Sequence, residues 1–448
     1  MKKIVLRSLM LLLPAVSSSV SFAQVQPMSL KDVLQTTAAG NRQLQIRTLE
    51  LKRSEELVKE AKSFLLPSVH FNSSYLFFAE RPVIYLRDEN ATPKANDIKF
   101  GGRLSFDANV TAVYGLTNPS AKNQVKNVQL QQRTEVQNKK MLEEQLAFEV
   151  SQLYYTVLFY EQQKQVLQQS LLRNERALTD ARNLFLQGKN LKTDTLSHFI
   201  AVQNIKLSVS SLENQVQIAL MQMKQLMGVE LSTSLMLSDS LMIEEHHAHQ
   251  IISSSAMEIA GNNRPDIHIA QLQIAQSKLQ LERIRAMYKP QLQVFAQYQV
   301  QSQADDYRFK YYGLPRTSFA GLRFNVPIYS GNRMKYQSAA VSFSVKQQEL
   351  ALTDLTTKVA TVIASLTVKL QDELKQWSIQ KQNVDAAWIS YQMVYERYRA
   401  GLGNRLELAD AELVLTKARL EDTRLQYSIR LVMMDLQKAM GNLKLINE

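Results

Sequence analysis

Three carboxylates stand just beyond glycines, at the start of stretches of helical character. Glu407 and Asp410 are three residues apart in a stretch of helical character, so they share one face. Asp194 occupies the matching place in an earlier stretch. Each group follows a glycine, Gly188 in the first case and Gly401 with Gly403 in the second, and Tyr398 and Arg405 flank the second glycine pair. Carboxylates so placed suit the positive end of a helix dipole. Glu244, Glu245, His246, His247 and His249 form another cluster with metal-ligand chemistry. Neighbours in an aperiodic segment rarely converge on one ion, so the cluster reads as a solvated linker. Gly401-Leu402-Gly403 lacks the fuller glycine pattern of a phosphate loop. The chain has 6 histidines, no cysteine and no nucleophile–base motif. It is therefore not expected to be an enzyme, to use a cofactor or to hold a metal.

The elements carrying these groups occur twice. Gly188 and Gly228 align with Gly401 and Gly441 at one constant offset, and Asp194, Leu207 and Leu212 then meet Glu407, Leu420 and Leu425. Asn41, Leu44, Leu49, Ser54 and Pro67 align at a second offset with Arg264, Ile267, Leu272, Ser277 and Pro290. The chain is thus an internal two-fold repeat, with copies at 24–230 and 256–448 joined by a linker at 231–255. Residues 1–23 precede them. Lys2, Lys3 and Arg7, the apolar run from Leu9 to Val16, and Ser21-Phe22-Ala23 make this stretch a secretory signal peptide. No later segment reads as a long uncharged apolar stretch, so a membrane-spanning part is expected to be made of strands. The formal net charge of +12 raises the question of nucleic acid. Lys and Arg are scattered along helical segments without aromatic companions, and the signal peptide directs export, so no nucleic-acid partner is expected.

Ser68 to Phe77 alternates Val69, Phe71, Tyr75 and Phe77 with His70, Asn72 and Ser74; Arg103 to Tyr114 alternates still more cleanly. Gln291 to Gln301 and Phe319 to Ile328 repeat the pattern in the second copy, with Phe295 as an exception. Four amphipathic strands of about ten residues suit a barrel wall with lipid outside and water inside. Four are too few to close one, so several chains must combine. The rest reads as helix: Leu30 to Lys62, Asn123 to Phe185 and Met334 to Ala400, with return helices carrying Ile205, Val209, Leu212 and Val216, echoed by Leu425, Ile429 and Val432. Steps of three and four mark coiled-coil-like helices that pack along their whole length. The expected fold class is mainly α with a small β part.

Asn263-Arg264-Pro265-Asp266, Tyr288-Lys289-Pro290, Val326-Pro327-Ile328-Tyr329-Ser330-Gly331, Tyr398-Arg399-Ala400-Gly401 and Leu406-Glu407-Leu408-Ala409-Asp410-Ala411 follow one another in this order. In these motifs and in its duplication the chain resembles the TolC-like outer membrane efflux protein family over nearly the whole mature sequence. The resemblance implies a homotrimer with a twelve-stranded outer membrane β-barrel, four strands from each chain, and a periplasmic α-helical tunnel. It implies a passive exit duct of a tripartite efflux or type I secretion system, partnered by outer membrane lipid, a periplasmic adaptor and a proton-driven or ATP-driven inner membrane pump. Carried over by position, Glu407 and Asp410 are the lumen-facing acidic rings, Asp194 and Tyr398 belong to the periplasmic gate, and Gly188, Gly401, Gly403 and Arg405 form the tip turns that meet the adaptor. In the family an arginine often stands where this chain has Gly403, and Arg405 lies close by. The alternative is a structural coiled-coil scaffold bridging two membranes, which has no use for four strands with polar faces.

Overall fold

The computed structural model describes residues 27–85, 97–189, 191–243, 256–308, 311 and 313–445. The signal-peptide residues and His246, His247 and His249 lie outside them.

A short strand β1 (Pro27–Met28) leads into α1 (Leu30–Gly40), capped by Ser29 and Asp32 in a reciprocal capping box. The expected single helix from Leu30 to Lys62 is in fact two. Asn41 is extended (φ −67°, ψ 121°), closing α1 and opening α2 (Arg42–Ser63) by accepting from the Leu44 N–H. Pro67 ends the helical run, and the chain enters β2 (Ser68–Phe77). A small hairpin, β3 (Val83–Tyr85) and β4 (Asp97–Lys99), precedes β5 (Leu104–Thr117). Pro119 then stands at the start of α3 (Pro119–Leu186), whose 68 residues span about 100 Å. α4 (Lys192–Met227) runs back along it, and β6 (Met236–Leu237) pairs in parallel with β1.

The second copy repeats this order with α5 (Ala256–Asn263), α6 (Pro265–Ala286), β7 (Gln291–Ala304), β8 (Arg316–Asn325), α7 (Arg333–Arg399) and α8 (Arg405–Ala439). The last strand ends before Val326-Pro327, three residues earlier than the alternation suggested, since proline brings no ladder donor. Equivalent joints make equivalent contacts. Asn41 Nδ2 donates to the Leu226 carbonyl at 2.8 Å, and Arg264 Nη1 donates to the Ala439 carbonyl at 2.9 Å.

β2, β5, β7 and β8 form one antiparallel sheet in that order, so the two copies meet at the β5–β7 ladder. On one face Asp107 accepts from Gln299, Asn109 Nδ2 donates to Asp107 at 2.9 Å, and Asn72 reaches Asn109 at 3.4 Å. The other face exposes Val69, Phe71, Tyr75, Tyr298, Leu322 and Phe324. This is the two-faced wall that the alternation requires. Phe295 joins the polar face, where it packs edge-on against Phe319 under the Arg323 guanidinium.

One expectation needs correcting. α7 contains an 18-residue window apolar enough, by length and composition, to cross a membrane, yet only 11% of that window is buried. Val359, Ile363 and Leu370 fill the core of the chain while Val362 and Val368 stay exposed. The helix is thus apolar on two sides, of which the described residues cover one.

Candidate functional site

The tip of the helical hairpins gathers the sequence-predicted residues. α3 ends at Gly188 (φ +72°), with Gly188 N–H donating to the Phe185 carbonyl and Lys189 N–H to that of Leu184, both at 2.9 Å. α7 ends at Gly401 (φ +76°), with Gly401 N–H donating to Tyr398 and Leu402 N–H to Arg397, again at 2.9 Å. These are the paired backbone bonds of a Schellman close, which needs a residue tolerant of positive φ. Gly403 has a different constraint. A Cβ there would stand 3.0 Å from the Tyr398 nitrogen, so this turn leaves little room for the side chain that the family often carries.

Asn404 caps α8, accepting from the Glu407 N–H at 2.8 Å while its Nδ2 donates to Glu407 Oε1 at 3.1 Å. Glu407 also lies 4.0 Å from Arg397, and its side chain is half exposed. The helix-capping role of Glu407 is therefore real in the single chain. Asp410 is exposed one turn on and forms no ion pair among the described residues. Asp194, in the first turn of α4, accepts from Arg405 Nε at 2.9 Å. That bond ties the first tip turn to the second. Tyr398 is buried, its ring 6.2 Å from that of His198.

Sequence reasoning missed the groups behind the tip. Glu412 on α8 is buried and receives Arg173 of α3 in a two-pronged pair, Nε to Oε2 at 2.7 Å and Nη2 to Oε1 at 3.0 Å. Ser170 Oγ donates to the same carboxylate at 2.6 Å and Thr416 Oγ1 at 3.0 Å. The Arg173 guanidinium also lies over the Tyr391 ring. A charge pair this enclosed needs further hydrogen bonds, and the Ser170 and Thr416 hydroxyls supply them at Oε1. Beside it opens a cavity of about 340 Å³ between α3, α4 and α8, into which His198, Arg405, Arg173 and Glu412 face. His198 is 5% exposed and its Nε2 has no hydrogen-bond partner among the described residues. Burial, and then the nearby Arg405, hold the imidazole below its usual range, with Asp194 pulling the other way. Glu412 sits two positions beyond Asp410, and only its place on the apolar stripe of α8 hinted at burial.

The geometry fits known proteins. A family model described as outer membrane efflux protein matches residues 256–442. The pyoverdine export outer membrane protein OpmQ of Pseudomonas putida is 27% identical over 185 residues, which cover 40% of this chain and 37% of that protein. The aligned part thus spans well under half of the relative. The crystal structure of CusC superposes with a TM-score of 0.75 at 15% identity over 93% of each chain. VceC, an outer membrane protein of Vibrio cholerae, gives 0.73 at 14% identity over 92% of this chain and 96% of its own. The open state of the Neisseria gonorrhoeae MtrE outer membrane channel gives 0.70 at 15% over 94% and 90%. Residues 256–442 thus match the outer membrane efflux protein family, whose members are transport channels, and the described chain shares the fold of the outer membrane channels above.

Proposed function

We propose that three copies of this chain form a passive exit duct through the outer membrane and across the periplasm, fed by an adaptor and an inner membrane pump. The observation that carries this is the sheet. Its outer strands, β2 and β8, each leave one ladder edge unpaired in the single chain, and one face is mainly polar while the other is mainly apolar. Closure of three such sheets, β8 of one chain against β2 of the next, removes every edge and puts the Asp107–Gln299 network in the lumen with the aromatic face toward lipid. The copies are 24–230 and 256–448, joined by 231–255, and each gives one hairpin of long helices to the tunnel.

At the periplasmic end the Asp194–Arg405 bridge supports a gate role for these two residues, with Arg405 doing from α8 what a side chain at Gly403 has no room to do. Glu407 and Asp410, exposed on one face of α8, would each become a ring of three carboxylates. Gly188 and Gly401 present the turns to the adaptor. The name of the Pseudomonas putida relative favours a small-molecule cargo over a polypeptide. The experiment is reconstitution: purified protein of trimer mass that conducts in planar bilayers supports the duct, and a monomer that gives no conductance overturns it.

A further inference from the structure

We propose that His198 is an acid-responsive release for the tip, an inference that rests on the duct reading: protonation of its ring parts the Asp194–Arg405 bridge and frees the two hairpins. His198 lies one helical turn beyond Asp194 on α4, buried, with Nε2 lacking a partner among the described residues and facing the cavity behind the bridge. The groups around it come from all four helices. Asp194 shares α4, Arg405 and Glu412 come from α8, Tyr398 and Tyr391 from α7, and Arg173 from α3. Glu412 is occupied by Arg173, Ser170 and Thr416, and Asp194 by Arg405. Both of these carboxylates are already held by an arginine. A second cation at this point repels the Arg405 guanidinium and lacks water, so the closed tip holds the neutral ring.

The sign follows from linkage. In the closed tip burial and Arg405 keep the imidazole below its ordinary value near 6.5, whereas a parted tip lets water reach the ring and restores that value. The parted state then binds the extra proton, so acid favours it, over the window from about pH 6.5 downward.

The test is single-channel recording of the purified protein in planar bilayers between about pH 7.5 and about pH 5. Mean conductance of the natural protein rises at least about threefold toward acid, and His198→Gln, which keeps a polar side chain but cannot titrate, gives a flat profile. Asp194→Asn conducts at the raised level across the range. Histidine hydrogen–deuterium exchange on the unmodified protein gives a second reading that no folding defect can confound: His198 titrates below the ordinary value of 6.5. An acid rise that persists in His198→Gln, or a natural protein whose conductance ignores pH while Asp194→Asn conducts, overturns the proposal and leaves the duct standing. Silence of both the natural protein and Asp194→Asn at every pH removes the duct and the proposal together.

Discussion

The two ends of the helical hairpins use the same residue for different reasons. Gly228 and Gly441, where α4 and α8 finish, have φ of +71° and +70°; Gly188 and Gly401 at the tip have +72° and +76°. The backbones match, yet their surroundings do not. A Cβ on Gly228 would stand 2.1 Å from the Gly40 carbonyl oxygen, and one on Gly441 3.0 Å from the Arg264 nitrogen. At Gly188 and Gly401 it would meet nothing within 4 Å. One end is locked by main chain pressed on main chain at the joints of α1 with α2 and α5 with α6. The other is held by side chains alone, and so can part without disturbing the rest.

If that contrast is right, the boundary between locked and free parts lies at the Arg173–Glu412 pair. Glu412→Ala leaves a buried guanidinium without its carboxylate and should cost about 3–5 kcal/mol, measured by denaturant unfolding. Gly228→Ala adds the strain of positive φ to a clash with backbone, about 2–5 kcal/mol together. Gly401→Ala meets only the first of these and should cost about 1–2 kcal/mol; equal losses at the two glycines would erase the contrast. Arg405→Gln removes a partly exposed pair, so stability changes by about 0–1 kcal/mol, but bilayer conductance should rise, because the tip has lost its crosslink. The smallest effect on stability belongs to Glu407→Ala with Asp410→Ala. Here reversal potentials should show weaker cation preference with the trimer intact, and unchanged selectivity removes both residues from the ring role.

A pH experiment sharpens the locked end. Burial pushes the Glu144 carboxyl up to about 7, with Arg264 working against it. An acid raised in the folded state favours its protonated form, so its contribution is greatest below the ordinary value of 4.5 and is lost as pH climbs through about 7. Glu144→Gln should therefore raise Tm at alkaline pH, by roughly a few degrees, and change it little in acid.

Periodicity made the strands and long helices legible because each is a repeated local pattern: Asn109 and Thr111 had to face away from Val110 whatever the partner. The break at Asn41 was hidden by continuous apolar spacing on both sides, although glycine followed by asparagine is an ordinary sequence for ending one helix and starting another. At the tip, Gly188 and Gly401, and Asp194 and Glu407, could be found because the duplication set them side by side, and Asp410 because it lies three residues beyond Glu407. Arg173, His198 and Glu412 could not. Their meaning comes from a contact between α3, α4 and α8 that no local spacing encodes, and each alone looks like an ordinary residue on a helix. Arg405 was noticed only as a neighbour of Gly403, and its partner Asp194 lies in the other copy.

The smallest element of the fold has a consequence for how the protein is made. Met28 in β1 pairs with Leu237 in β6, its carbonyl also receives the Tyr154 hydroxyl and the Ser238 N–H, and Leu30 N–H donates to Asp239. A chain delivered beginning-first through an export pore presents Met28 long before Leu237 exists on the far side. The opening strand must therefore wait, unpaired, until the whole of the first hairpin has crossed, and only then does the first copy close on itself. Slowing delivery between these two points would lengthen the time for which that strand is open to other company.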